Sequence, residues 1–377
     1  MSCHSLSSDS NTPHISRAYL LFALAILLLP WTNAWPAKVP GLYQAEVPIA
    51  GDGTAQRNEA IGRAFADMLV KVTGNRRIVA RGGLEQELGK ASRYVQQYSY
   101  RMADSSGEGG PATGDGGSQR FLRVFFDASA IDRLLTERQL PVWSANRPSI
   151  LVWMGVEQRG RRRLLVSEEE PVLRKGIEAA AGIRGLPIVF PIMDLEDQGS
   201  LQVADLWGDF DSNIRAASRR YGTDLTLTGR LVKVAKGFWR GHWRLYQGKE
   251  VLNWSNQGKS ELEAAADGIQ HLGDQLADLY APFDERGSGG ALRVRVSGVR
   301  GLKDYVAIGN LLRSQGGVER VNLVSAESDA LTFDLHGRSG IKALEQGLRL
   351  GGLVEPDPLA DTALETGAGT VLHYRMQ

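Results

Sequence analysis

The sequence predicts an α+β fold, in which three small mixed α/β domains follow a signal peptide and the last domain is ferredoxin-like. Stretches with the two-residue period of strands alternate with stretches that have the 3.6-residue period of helices. The chain has 377 residues, which is more than the length of about 250–300 residues at which a single core stops growing. Its 42% hydrophobic and 23% charged residues are typical of globular domains and exclude a wholly disordered chain.

The amino-terminal residues have the pattern of a secretory signal peptide. Residues 1–17 are polar with one late positive charge, and an apolar run over 18–29 follows. A helix of that length covers roughly 18 Å, which is short for a hydrocarbon core of about 30 Å. Small residues stand at −3 and −1 of a cleavage before Trp35, so we predict a signal peptide over 1–34 and a periplasmic mature chain. The alternative is that residues 18–34 stay uncleaved and anchor the chain in the inner membrane, facing the periplasm.

The cysteine content and the net charge exclude several classes of protein. The only cysteine, Cys3, precedes the apolar run, so the mature chain has no disulfide, thiolate metal site or catalytic thiol. The 44 Lys and Arg residues and the 43 Asp and Glu residues leave a net charge of +1. Nucleic-acid binding needs a basic footprint, so we expect no nucleic-acid partner. We expect membrane contact only through residues 18–34, if they are uncleaved.

The first predicted domain spans residues 35–145. Its clearest element is a helix after Thr54, a candidate cap, with apolar residues at i, i+3, i+4 and i+7 and Gly74-Asn75 at its end. Residues 104–119 contain six glycines and no large apolar side chain, which predicts a disordered loop. The other predicted elements are strands at 42–49, 97–102 and 121–126 and helices at 84–95 and 129–138.

The second predicted domain spans residues 148–281. Its strands alternate with helices, which predicts a mixed sheet with helices packed on it. Residues 159–163 are predicted to form a basic hairpin turn. Residues 253–260 end like a phosphate-binding loop, but Asn253 stands where that loop has its first glycine. We therefore predict that residues 258–260 form a turn and a helix cap. The predicted strands are 150–156, 164–166, 187–190, 225–234, 238–246 and 249–254, and the predicted helices are 167–181, 212–221 and 261–279.

The third predicted domain spans residues 291–356 and follows a glycine-rich linker over 282–290. Its elements have the β-α-β-β-α-β order of a ferredoxin-like sandwich. The residues from 357 to 377 are predicted to be a flexible tail. The predicted strands are 292–297, 318–324, 330–335 and 353–354, and the predicted helices are 302–314 and 339–350.

Complete catalytic signatures are missing from the sequence. It contains neither a G-x-S-x-G elbow nor an H-E-x-x-H helix. The four histidines that follow the signal peptide lie more than about five residues apart, so none has the spacing of a local metal-ligand pair. We therefore expect no cofactor and no set of catalytic residues.

An acidic run is the most site-like local feature. Asp194, Glu196 and Asp205 fall at positions 1, 3 and 12 of a loop that resembles a calcium-binding EF-hand loop. The sequence departs from the EF-hand pattern at position 3, which is Glu, and at position 12, which is Asp instead of the long Glu. We favour a solvated loop with helix-capping acids over a metal site, with these three carboxylates as the candidate ligands. The alternative is a hydrolase of an envelope polymer that uses these residues and Asp197.

One predicted strand, 238–246, separates aromatic from cationic side chains. Strand alternation places Trp239 and Trp243 on one face, where we expect them in the core. The opposite face carries Arg240, His242 and Arg244, which are candidates for binding an anionic envelope polymer or a protein partner. The alternative is that this face is only solvated.

Several short stretches resemble known exported proteins. An exported gammaproteobacterial family, known only as domain of unknown function 2066, resembles the chain from residue 40 to about 280, and it has no assigned activity. The stretch 221–231 and the strands after it are similar to a recurring domain of envelope assembly proteins. These include the TolB amino-terminal domain, curli secretion lipoproteins, penicillin-binding-protein activators and the flagellar H-ring component. That second resemblance implies a domain that docks partners without chemistry. The stretches that resemble the family are 43–47, 64–65, 71–75, 191–197, 205–208 and 217–221.

These observations together favour a non-catalytic, periplasmic partner-binding or assembly factor of the cell envelope. A protein or a polymer of the envelope is the expected partner. The hydrolase that uses the acidic run is one alternative. The other is a regulator that residues 18–34 hold in the membrane.

Overall fold

The structure, a computed structural model, contains sheets of three, six and five strands with helices packed on them, and a two-stranded sheet, among the residues that it describes. It describes residues 37–51, 53–102, 120–165, 171–281, 292–337, 340–358 and 371–377. The predicted signal peptide, the glycine-rich loop over 104–119 and the linker over 282–290 lie outside the described residues. Among the helices that are described, none combines the length and the hydropathy of a membrane-spanning segment.

The amino-terminal sheet has three antiparallel strands in the order β2-β4-β3. The long helix α1 covers one face, where Phe65, Met68 and Leu69 pack with Leu122 and Val124 in a buried cluster. The elements are β1 (Ala37–Lys38), β2 (Gln44–Pro48), α1 (Thr54–Thr73), α2 (Ile78–Arg81), α3 (Glu85–Leu88), β3 (Val95–Met102), β4 (Arg120–Phe126), α4 (Ala128–Glu137) and β5 (Asn146–Arg147), which pairs with β1.

Helix α1 is confirmed together with its end at Gly74, whose left-handed φ of 71° terminates the helix. Gly53 takes the cap position, so the prediction that Thr54 caps this helix is wrong. The helix predicted over 84–95 is divided into α3 and a 3₁₀ turn over Ala91–Tyr94.

The middle sheet has the strand order β11-β10-β9-β6-β7, and β8 also pairs with β6. Strand β6 runs parallel to β8 and β9, whereas the other pairs are antiparallel. The elements are β6 (Ile150–Gln158), β7 (Arg161–Leu164), α5 (Pro171–Arg184), β8 (Ile188–Val189), α6 (Leu195–Ser200), α7 (Val203–Trp207), α8 (Asp211–Ser218), β9 (Leu225–Ala235), β10 (Phe238–Gln247), β11 (Glu250–Gly258) and α9 (Glu261–Tyr280).

The two faces of this sheet carry different cores. Trp239 and Trp243 are buried in a large apolar cluster with α5 and α9, which confirms their predicted core position. On the opposite face, Trp153, Met193 and Ile214 belong to a smaller cluster that includes residues of α7 and α8. The short helices α6 and α7 were not predicted from the sequence, because neither is long enough to show a helical period.

Two turns of the middle sheet were predicted, and the first is shorter than its prediction over 159–163, because residues 161–163 belong to strand β7. Arg159 and Gly160 both have positive φ, as a two-residue hairpin between antiparallel strands requires. The hydroxyl of Ser260 accepts a hydrogen bond from the Glu263 N–H, so residues 258–260 form a turn and a helix cap.

The carboxyl-terminal sheet has the strand order β13-β14-β12-β16-β15. Its last strand, β16, lies between β12 and β15 and runs parallel to β12. The elements are β12 (Leu292–Ser297), α10 (Leu302–Arg313), β13 (Val318–Ala326), β14 (Ala330–Gly337), α11 (Ile341–Leu350), β15 (Val354–Pro356) and β16 (Val371–Met376).

Strand β16 corrects two predictions. The flexible tail predicted over 357–377 is wrong for Val371–Met376, because Tyr374 is buried and Leu372 and Met376 pack against the same core. The predicted four-stranded order is also changed, since β16 takes the place beside β12. A six-residue strand after a glycine-rich stretch has too few alternations to be recognised before its partners are known.

Two buried arginines fix α1 against α5 and α9. Arg147 donates to the carbonyl oxygens of Arg184 and Lys71, both at 2.6 Å. Arg184 donates to the carbonyl oxygen of Gly74 at 2.6 Å and to Asp274 Oδ1 at 2.8 Å. Burial lowers the pKa of Arg147, and the neighbouring Arg184 lowers it further. The predicted boundary near 145–148 therefore lies in packed structure, and the division into three domains stays a prediction.

Candidate functional site

The acidic run forms a rigid turn between β8 and α6. Met193 has a φ of 61°, a left-handed conformation that costs free energy in a residue other than glycine. Three hydrogen bonds hold the backbone around it. The Ile192 N–H donates to Tyr221 Oη at 2.9 Å, the Met193 N–H donates to Asp197 Oδ2 at 2.8 Å, and Gln198 Nε2 donates to the Met193 carbonyl at 2.8 Å. The surrounding structure thus over-determines the strained conformation.

Asp197 is the centre of this network and is fully buried. Its Oδ2 accepts from both the Met193 N–H and the Tyr221 hydroxyl, and its Oδ1 accepts from Arg220 Nη1 at 3.0 Å. Burial, followed by the hydrogen bond to Asp197, raises the pKa of Tyr221 to about 12. A buried carboxylate is stable only when such donors satisfy it, which is the role of these contacts.

Asp194 connects the turn to α6. Its Oδ1 accepts from the Asp197 N–H at 2.9 Å and so caps the helix. Arg220 binds both of its oxygens, each at 2.8 Å. This bidentate pair lowers the pKa of Asp194 to about 2. Glu196 lies 3.4 Å from the same guanidinium.

Asp205 serves a different helix. Its Oδ2 accepts from the Gln202 N–H at 2.7 Å in a capping box of α7, and its Oδ1 accepts from Asn213 Nδ2 at 2.7 Å. The helix-capping prediction is therefore confirmed for Asp194 and Asp205, whereas the predicted solvated loop is wrong, because the run contains the helices α6 and α7 and Asp197 is buried. Over the part of the chain that the structure describes, no group of three or more His, Cys, Asp or Glu could hold a metal ion. The structure does not bring the predicted calcium ligands together.

Two large apolar side chains project from this turn into solvent. Ile192 is 73% exposed and Leu195 is 88% exposed. They flank Asp194 and stand on a backbone that hydrogen bonds hold in place. Sequence reasoning did not identify them, and it also missed Arg220 and Tyr221, which come more than 20 residues later in the chain. No local pattern relates those two residues to the turn.

The predicted basic face is only partly exposed. Arg244 donates to Asp211 Oδ1 at 2.8 Å and lies 3.2 Å from Asp209, so its charge is paired. Burial, with the nearby Arg230 and Arg240, lowers the pKa of His242. The residues that line a cavity of about 360 Å³ at the β11 edge are Arg240, Ser255, Asn256, Gln257, Asp267 and His271. Of the three predicted residues, only Arg240 is exposed.

Comparison with known proteins gives a family match for the first part of the chain. Residues 37–144 match a family model described as a domain of unknown function, DUF8605. The resemblance to domain of unknown function 2066 over 40 to about 280 is not confirmed by this match. None of the curated proteins matches the chain.

Solved structures give weak similarity. The LpoB C-terminal domain from Salmonella enterica is 19% identical, with coverage of 29% of this chain and 80% of that chain and a TM-score of 0.22. The crystal structure of an uncharacterized protein is 10% identical, with coverage of 34% and 90% and a TM-score of 0.17.

Proposed function

We propose that this protein is a non-catalytic binding protein of the bacterial cell envelope, which docks another envelope protein through Ile192 and Leu195. One observation carries the proposal: both apolar side chains are exposed, yet they stand on a turn that a buried hydrogen-bond network holds in a strained conformation. Exposed apolar side chains on a fixed backbone are typical of an interaction site. The periplasmic location rests on the signal-peptide pattern over 1–34.

The carboxylates of the turn support binding more than catalysis. A general acid or base has to exchange a proton with its substrate. Asp194 shares both oxygens with Arg220, and Asp197 is fully buried beneath the turn. Every oxygen of these two carboxylates accepts a hydrogen bond from the protein itself, and these contacts position the turn. This distribution of roles is the reason that we place the hydrolase second.

A preformed turn favours binding because little conformational entropy is lost when the partner docks. Burying a Leu or Ile side chain contributes about 1.5–3 kcal/mol. Glu196, which is exposed, adds negative charge beside the two apolar side chains. The expected partner is therefore an envelope protein with an apolar pocket and a basic residue at its rim.

Site-specific photo-crosslinking in the native envelope tests the proposal. A photoreactive residue at position 195 is expected to give one discrete protein adduct. The matched control is position 234, because Val234 is also apolar and is 51% exposed at the end of β9. The substitution Ile192→Ser is expected to reduce the adduct at position 195 without lowering the midpoint of thermal unfolding.

Equal adducts from positions 195 and 234, or no adduct from position 195, would contradict the docking surface. Sequencing the amino terminus of the recovered protein tests its location. A chain that begins at Trp35 supports the soluble periplasmic form, whereas one that keeps residues 18–34 supports the anchored regulator.

A further inference from the structure

Strand β11 is an open edge of the six-stranded sheet. It pairs with β10 on one side, and in the described part of the chain no strand lies on its other side. Proteins usually protect such an edge with charged side chains, proline, a bulge or a very short strand. The register with β10 runs without a shift from Glu250 to Gly258, and Glu250 is the only charged residue of β11. The opposite edge strand, β7, has three consecutive arginines.

The side chains of β11 are suited to packing against uncharged side chains. Residues 251–258 carry no charge. Leu252 and Trp254 lie opposite Leu245 and Trp243 of β10, so they extend the face that α9 covers towards the edge. Trp254 stacks on Trp243, whereas Leu252 is 39% exposed. The rim of the main core therefore reaches solvent along an unprotected edge.

We infer that two copies of the chain pair through β11 as antiparallel strands, with Asn253 on the two-fold axis. The hydrogen-bonding groups that point away from β10 belong to every second residue, so residues opposite each other are both even-numbered or both odd-numbered. With Asn253 on the axis, Leu252 lies opposite Trp254 of the second copy, and Val251 lies opposite Ser255 of the second copy. The two-fold axis repeats each contact, so the apolar pair forms twice.

The two neighbouring registers pair the side chains less well. With Trp254 on the axis, Lys249 would lie opposite Lys259 of the second copy, and this like-charge contact would occur twice. With Ser255 on the axis, Leu252 would lie opposite Gly258 of the second copy, which has no side chain to cover it. Of these three registers, the one with Asn253 on the axis pairs apolar with apolar side chains and opposes no like charges.

The charged residue of β11 also has a place in this register. Glu250 lies opposite Asn256 of the second copy, beside the cavity at the β11 edge. That cavity is lined by the basic residues Arg240 and His271 and by Asp267, whose carboxylate accepts a hydrogen bond from Asn256 Nδ2 at 3.0 Å. Groups of both signs therefore surround the incoming carboxylate, and charge does not oppose the pairing.

The pairing surface does not include Ile192 or Leu195. A dimer carries two copies of the turn that bears them, so it can bind a partner at two sites, a consequence that rests on the proposed function. The dimer itself does not rest on it. Loss of the adduct at position 195 would leave the pairing intact, and a monomeric protein would leave the docking turn intact.

Sedimentation velocity over a range of protein concentrations tests the dimer. The protein is residues 35–377, which form one compact unit, and we expect a monomer–dimer equilibrium. Leu252→Lys is expected to raise the dissociation constant of the dimer at least about tenfold, a change of about 1.4 kcal/mol. Val234→Lys is the matched control, because Val234 is 51% exposed at the end of β9, and it should leave the dimer unchanged. Circular dichroism verifies that both variants keep the fold.

Disulfide crosslinking tests the register. Residues 35–377 contain no cysteine, because Cys3 is the only one in the chain. A disulfide needs Cβ atoms about 3.5–4.5 Å apart, a distance that strand pairing provides only between residues directly opposite each other. Asn253→Cys is therefore expected to form a covalent dimer under oxidising conditions. Ser255→Cys, on the same face and also exposed, is expected to stay monomeric under denaturing conditions.

Other crosslinking results would contradict this register. A covalent dimer of the Ser255→Cys variant alone would place Ser255 on the axis. Preferred crosslinking between the Asn253→Cys variant and a size-tagged Ser255→Cys variant would place Trp254 there. A protein that is monomeric at every concentration, or a dimer that Leu252→Lys leaves unchanged, would overturn the inference.

Discussion

The two faces of the six-stranded sheet are stabilised by different interactions. On the face covered by α5 and α9, large apolar side chains such as Trp243 and Leu272 are buried together. On the face near α6 to α8, a smaller cluster is joined to ion pairs of Arg220 and Arg244. Apolar burial is not directional, whereas hydrogen bonds fix angles and distances. The polar face is therefore the one that can hold a strained turn with exposed side chains.

The helices on the two faces of the sheet also differ in length. Helix α9 has 20 residues, whereas α6, α7 and α8 have six, five and eight. Isolated helices shorter than about 12–15 residues are marginal, so short ones depend on caps and tertiary contacts. Asp194 and Asp205 provide those caps. The acidic run suggested a metal site, but its carboxylates cap the short helices α6 and α7.

The largest effect is expected on the apolar face. Leu272→Ala removes a side chain that is completely buried on α9 and should lower the free energy of unfolding by about 2–5 kcal/mol. Urea unfolding measures the change. Leu252→Ala is the control, because Leu252 is exposed on the edge strand β11. A loss below about 1 kcal/mol for Leu272→Ala would show that this face is not the main core.

A smaller, more local effect is expected on the polar face. Asp197→Ala removes the acceptor of the Met193 N–H and of the Tyr221 hydroxyl, at about 1–3 kcal/mol for a group left unsatisfied. Amide hydrogen exchange should show faster exchange at Met193 while the amides of α9 keep their protection. Tyr221→Phe keeps the carboxylate and serves as the milder variant. Unchanged protection at Met193 would contradict the role that we assign to Asp197.

The smallest effect is a pH dependence of the turn. The pKa of Asp194 is lowered to about 2 from its ordinary 3.8, so its ion pair with Arg220 stabilises the fold above pH 3.8. That stabilisation is lost as the pH falls towards 2. An NMR titration of the Asp194 carboxyl carbon and the Asp197 amide measures it directly. Arg220→Leu should move the midpoint up towards 3.8, and a midpoint already at 3.8 in the unmodified protein would disprove the pairing.

Long periodic segments were predictable from the sequence. The predictions of α1, α9 and β10 are confirmed. Each of these elements is long enough to show several repeats of its helical or strand period. The same alternation placed Trp239 and Trp243 in the core. The capping carboxylates of α6 and α7 were predictable as a class, since short acidic side chains satisfy helix amino termini.

The sequence alone thus determined the mixed α/β class, the core position of Trp239 and Trp243 and the main long elements, because a long segment shows its own helical or strand period. Only the tertiary structure decided that Met193 is left-handed, that Arg220 and Tyr221 hold it, and that β16 pairs with β12. It also decided that Ile192 and Leu195 are exposed. Each of these features depends on groups that lie far apart in the chain, and the free energy of such contacts has no local period.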